Sequence, residues 1–103
     1  MEIETIKKIW FDMGLSCRNS WKPEKAKEFL SKFNLELPED LIYTQNRYRE
    51  LSDSSPRVDG EDLLIFVFNK LGLKPNEKKL KQSYAYNGEG SRRDAVEKAY
   101  FNM

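Results

Sequence analysis

No histidine occurs anywhere in the chain, and Cys17 is its one cysteine. Without histidine there is no Ser-His-Asp or Cys-His mechanism, no usual general base at neutral pH, and little of ordinary zinc or haem ligation. A lone cysteine can form neither an intrachain disulfide nor a cysteine-based metal site. With no imidazole to draw off its proton, Cys17 reads as a bystander rather than a nucleophile. Carboxylates are plentiful, but Asp12, Glu36 and Asp40 fall where helix ends and polar faces put acids, and exposed acids are the norm. The composition therefore argues against an enzyme, and no cofactor or metal is expected.

Binding chemistry is better represented. Lys74, Lys78, Lys79 and Lys81, with Tyr84, Tyr86, Arg92 and Arg93, interleave cations with aromatic rings. Such a stretch suits a nucleic acid, by phosphate contacts and base stacking; the plainer reading is a solvated lysine face. Leu71-Gly72-Leu73 resembles the turn of a helix-turn-helix motif. However, Phe68 takes a place usually given to alanine, and Lys78 one usually apolar. Gly88-Glu89-Gly90-Ser91-Arg92-Arg93 puts two glycines before a predicted helix start, an end attractive to phosphate. Arg93 nevertheless stands where a dinucleotide fingerprint needs its third glycine, and no strand precedes it. Asp53 to Asp62 has acids enough for a calcium loop but the wrong spacing: with Val58 at the aliphatic position, Leu51 falls where the first acid is required. Trp10 and Trp21 read first as core and staple residues; of the two, Trp21, set in a polar connection, is the one more expected to be exposed, and exposed tryptophan is enriched at protein-binding hot spots. Trp21, Tyr43 and Arg47, together with Tyr84–Arg93, are the candidate contact surfaces.

Charge is divided along the chain. Residues 1–68 hold ten Lys/Arg and thirteen Asp/Glu, a net of −3, while residues 69–103 hold eight and four, a net of +4. The C-terminal third is thus the basic part, which bears on partners more than on fold. The whole is 34% charged and 39% apolar, the balance of an ordinary globular domain, and residues 1–103 are read as one domain. No apolar run reaches the roughly 18 residues of a membrane-spanning helix. The acidic start, Met1-Glu2-Ile3-Glu4, lacks the pattern of a signal peptide. A cytoplasmic location is expected.

The elements that must position these residues centre on Leu63-Leu64-Ile65-Phe66-Val67-Phe68, six consecutive large apolar residues. Such a run fits a buried strand or a helix buried on most sides. Its flanks decide for a helix from about Gly60 to Leu71: Asp59 is a good N-cap, Glu61 and Asp62 suit the first turn, Lys70 the last, and Gly72 the C′ position. All six side chains are expected in the core. Upstream, Ile3, Ile6, Trp10 and Met13 form one face of a helix that Gly14 stops. Pro23 starts a second helix carrying Ala26, Phe29, Leu30 and Phe33, and Asn34 ends it. A third helix is expected from Pro38, with Leu41, Tyr48 and Leu51 on one face, then a loop from Ser52 to Arg57. After Gly72 come a helix from Pro75 to Tyr84 and a terminal one behind a Ser91 cap. The predicted fold is all-α, about five to six short helices packed round the 60–71 helix. The expected function is that of a small non-catalytic regulator, adaptor or inhibitor that binds another protein. The alternative is a nucleic-acid-binding regulator using residues 74–93.

Overall fold

The computed structural model describes residues 2–44, 55–84 and 92–103. Within them the order is α1 (Ile3–Asp12), β1 (Ser20–Trp21), α2 (Pro23–Ser31), a 3₁₀ turn (Glu39–Leu41), β2 (Ile42–Thr44), β3 (Pro56–Asp59), α3 (Gly60–Lys70), α4 (Glu77–Tyr84) and α5 (Arg92–Phe101). The architecture is mostly helical, but the all-α expectation is corrected by a small antiparallel sheet in the order β1-β3-β2. Trp21 and Ile42 both pair with Val58, and Tyr43 pairs with Arg57.

The sheet replaces two expected features. Where a third helix was predicted from Pro38, one 3₁₀ turn leads directly into β2. Ile42-Tyr43-Thr44 is a β-branched and aromatic triplet, well suited to a pleated surface, and pairing with β3 satisfies backbone groups that the helix would have satisfied internally. Arg47, Tyr48 and Leu51, the rest of that predicted helix, lie outside the described residues. The predicted loop ends earlier than expected, because Pro56 and Arg57 already belong to β3. Proline is tolerated as the first residue of a strand.

The helices follow the local signals more closely. Asp59 caps α3 by accepting from the Asp62 backbone N–H at 3.3 Å. Pro23 occupies the start of α2. Four of the five helices in the described residues stop in the same way. Gly14, Asn34, Gly72 and Asn102 take positive φ of 71°, 58°, 69° and 56°. The next backbone N–H in each case, from Leu15, Leu35, Leu73 and Met103, returns to a carbonyl five residues back. This closure satisfies carbonyls that the helix end would leave bare, and only glycine or asparagine adopts the turn cheaply. The start of α4 differs from expectation. It begins at Glu77 rather than Pro75, because the Asn76 side chain accepts from the Lys79 N–H at 3.0 Å and so caps the helix. Asn76 also donates its backbone N–H to the Ala99 carbonyl at 3.1 Å, which ties α4 to α5. The predicted Ser91 cap lies outside the described residues.

The core joins every layer. From α3, Leu63, Leu64, Val67 and Phe68 are wholly buried, whereas Ile65 and Phe66 are only half-buried. The six-residue run is therefore not uniformly core: one helix cannot turn all its sides inward at the edge of a small domain. Phe66 instead lies on a flank, with the Lys70 ammonium 5.7 Å from its ring centre. The centre of the aromatic packing is Trp10 of α1. Its ring meets Trp21 at 6.4 Å, Phe29 at 5.4 Å and Phe101 at 6.0 Å, in edge-on or tilted arrangements that the ring quadrupoles favour. Gly60 is where sheet, connection and α3 come closest. A Cβ there would collide with the Ser16 carbonyl oxygen and lie 2.8 Å from Trp21 Cζ3, so no larger residue fits without moving backbone.

The difference in burial within α3 is measurable. Phe68→Ala should cost about 3–5 kcal/mol in urea denaturation followed by circular dichroism. Phe66→Ala should cost clearly less, and equal losses would mean that the run is buried evenly.

Candidate functional site

The register of the sheet sorts its side chains into two faces. Trp21, Val58 and Ile42 stand in one cross-strand row, and Val58 in its middle is wholly buried. Ser20, Asp59, Arg57 and Tyr43 therefore stand on the other face, because neighbouring residues of a strand alternate. Ser20, Tyr43 and Asp59 of that outer face line a polar cleft of about 580 Å³, completed by Arg18, Asn19 and Arg93 and the first turn of α3.

Charges in this cleft are paired with one another. Arg93 Nη1 donates to Asp59 Oδ1 at 2.6 Å, and Arg93 Nε lies 3.6 Å from Glu61 Oε2. A longer contact of 3.5 Å reaches the Cys17 carbonyl. Arg18 pairs with Asp94 at 3.0 Å. Partial burial works against the Arg93 charge, but attraction by Asp59, their hydrogen bond, Glu61 and Asp62 outweigh it and hold the guanidinium above its ordinary pKa. Asp62 is pushed above the ordinary carboxylate range by desolvation and by neighbouring Asp59, against the pull of Arg93. Just beneath, burial and then the Glu97, Glu61 and Asp59 carboxylates drive the Cys17 thiol far above its ordinary range. Holding the thiol protonated in this way lowers its reactivity, since the thiolate is the nucleophile. The cleft thus works as a latch: its ion pairs bind the starts of α3 and α5 to the connection before β1.

The predicted basic stretch is not assembled as one track. Lys74, Lys78 and Lys81 are exposed, the last two on α4, and Arg92 is exposed at the start of α5. Lys79 is half-buried, and its ammonium donates to the Met103 carbonyl at 3.0 Å. Arg93 is turned into the latch. Tyr84 closes α4, and Tyr86 lies outside the described residues. Among the described residues no group of three or more acids, cysteines or histidines could hold a metal ion. No helix of these residues is long and apolar enough to cross a membrane.

Trp21 is placed differently. One edge of its indole packs on Gly60 and Trp10, and the residue is half-buried. The remaining surface walls a groove of about 600 Å³ with Lys22, Glu24, Lys25 and Arg57. Arg57 is fixed there: its Nε donates to Ser20 Oγ at 3.1 Å and its Nη2 to the Ser20 carbonyl at 2.7 Å. Lys22, Lys25 and Arg57 were not among the residues singled out from the sequence. Lys22 and Lys25 follow Trp21 closely, so a count of cations around the exposed tryptophan would have found them. Arg57 carried no such signal, since only strand pairing brings it beside Ser20. The chain matches no protein family, no curated protein and no solved structure.

The latch gives a test of how Asp59 works. Asp59→Asn keeps an efficient cap but loses the ionic attraction to Arg93, whereas Asp59→Ala loses both. The alanine variant should be less stable than the asparagine variant by about 1 kcal/mol, the worth of a cap, in urea denaturation. Equal stabilities would show that the ion pair alone matters.

Proposed function

We propose that this chain is a small non-catalytic regulator, adaptor or inhibitor that works by binding another protein, with the Trp21 groove as its contact surface. The observation that carries the reading is the groove itself: a partly exposed indole beside an arginine whose head group is already fixed. Tryptophan and arginine dominate binding energy at protein interfaces, because each offers a large area at little entropic cost once held in place. Trp21 is held by Gly60 and Trp10, and Arg57 by Ser20. Tyr43, 37% exposed on the far edge strand, offers a second aromatic surface.

The competing reading, a nucleic-acid-binding regulator using residues 74–93, draws on Lys74, Lys78, Lys81 and Arg92. Two cations that it needs are turned to internal bonds, Arg93 with Asp59 and Lys79 with Met103. A phosphate track gains from each neutralised phosphate, so a shortened row of cations weakens this reading relative to the first.

The readings separate in one experiment. Tagged protein is incubated with a nuclease-treated extract of the organism that encodes it, and the eluate is examined for protein and nucleic acid. A stoichiometric protein partner is expected. Its capture should weaken by about thirtyfold, the worth of a single hot spot, in a Trp21→Leu variant whose circular dichroism is unchanged. An eluate holding nucleic acid but no protein, released by salt and lost on charge reversal at Lys78 and Lys81, would overturn the proposal in favour of its rival.

A further inference from the structure

The cations of the polar cleft and those of the Trp21 groove differ in how they are paired. Arg18 and Arg93, in the polar cleft, are matched by Asp94, Asp59 and Glu61. Lys22, Lys25 and Arg57, around the Trp21 groove, form no ion pair with any acid among the described residues, and Glu24 is the one acid in the groove's lining. The groove therefore carries an excess of positive charge beside an apolar wall. Arg57 spends two donors on Ser20, its Nε–H and one from Nη2. Nη1 makes no hydrogen bond within the described residues, so the outer part of the guanidinium fork remains to grip a carboxylate.

We infer that the Trp21 groove recognises an acidic, extended peptide segment of a protein partner, with an apolar side chain of that segment seated against the indole. The inference rests on the protein-binding reading above and names the chemistry of the partner. Two features select a peptide over a nucleic-acid strand. The indole is half-buried against Gly60 and Trp10, so it offers less ring surface than a projecting platform on which bases stack. Glu24 sits among the cations, where it would repel a continuous phosphate chain but leaves room for carboxylates spaced along a peptide. Lys22 and Lys25 would supply long-range attraction, and Trp21 and Arg57 the fixed contacts.

The test is selection from a displayed library of random peptides against the intact protein, compared with a Lys22→Glu/Lys25→Glu variant. Lys22 is exposed and Lys25 half-buried, both at the start of α2, where acids suit the helix dipole, so the variant should fold; circular dichroism checks this, and Lys22→Ala/Lys25→Ala serves if it does not. Enriched peptides should carry net negative charge and an apolar residue. They should shift the tryptophan fluorescence and bind the variant about tenfold more weakly or worse. Charge reversal at Lys78 and Lys81 should leave them unaffected. Enrichment of neutral or basic peptides, or of none, overturns the inference. So does a partner from the extract experiment whose capture ignores Lys22 and Lys25, while protein binding itself then stands. Fluorescence titration with oligothymidylate covers the rival ligand: binding lost in the Lys22→Glu/Lys25→Glu variant would assign the groove to nucleic acid and overturn both readings together.

Discussion

The rest of the structure depends on how one buried indole is accommodated. Trp10 has no exposed surface, yet it carries a polar N–H. Left unpaired in the core, that donor would cost free energy comparable to a lost hydrogen bond. Glu97 of α5 accepts it at 2.8 Å, and the same carboxylate oxygen accepts the Cys17 backbone N–H at 3.2 Å. One acid thereby fixes α1, the connection before β1 and α5 relative to one another. The rings of Trp21, Phe29 and Phe101 then close round the indole. Every buried side-chain nitrogen and oxygen among the described residues has a partner, so this economy extends through the core.

Two further constraints act on the connection that Glu97 holds. Gly60 donates its backbone N–H to the Asn19 carbonyl at 2.9 Å and admits Trp21 because it has no Cβ. Arg93 crosses from α5 to Asp59, the residue that caps α3. The short strand β1 is thus held from three directions despite having two residues. That rigidity is what makes the exposed part of Trp21 a preorganised surface: ordering costs usually charged to binding are already met by the fold. The division of charge follows the same logic. Arg18 and Arg93 meet acids and join elements, whereas Lys22, Lys25 and Arg57, around the groove, form no ion pair among the described residues.

Much of this was legible in the sequence wherever the governing interaction is local. Asp59 capping α3, Pro23 opening α2, and Gly14, Asn34 and Gly72 closing their helices all depend on residues within about one turn, and a linear reading sees such neighbours. Asn76 was within the same reach, but the proline before it was the louder signal. The strands were not legible. Ile42-Tyr43-Thr44 becomes a strand only when Pro56–Asp59 lies beside it, and Ser20–Trp21 only when Asp59 and Val58 do. A row of two or three residues has too little periodicity to announce itself, and its hydrogen bonds go to distant partners.

The candidate site divides along the same line. The sequence by itself determined that imidazole chemistry and an intrachain disulfide are closed to this chain, that helices dominate, and that Trp21 stands in a polar connection. These follow from residue types and from contacts between near neighbours. Only the tertiary structure decided that Arg93 belongs to a latch with Asp59 and Glu61, that Phe66 sits on a flank while Phe68 is buried, and that Arg57 joins Lys22 and Lys25 around Trp21. Whether a charge is neutralised or a ring is covered depends on what arrives from elsewhere in the chain, and the strand pairing and helix packing that bring it there are long-range.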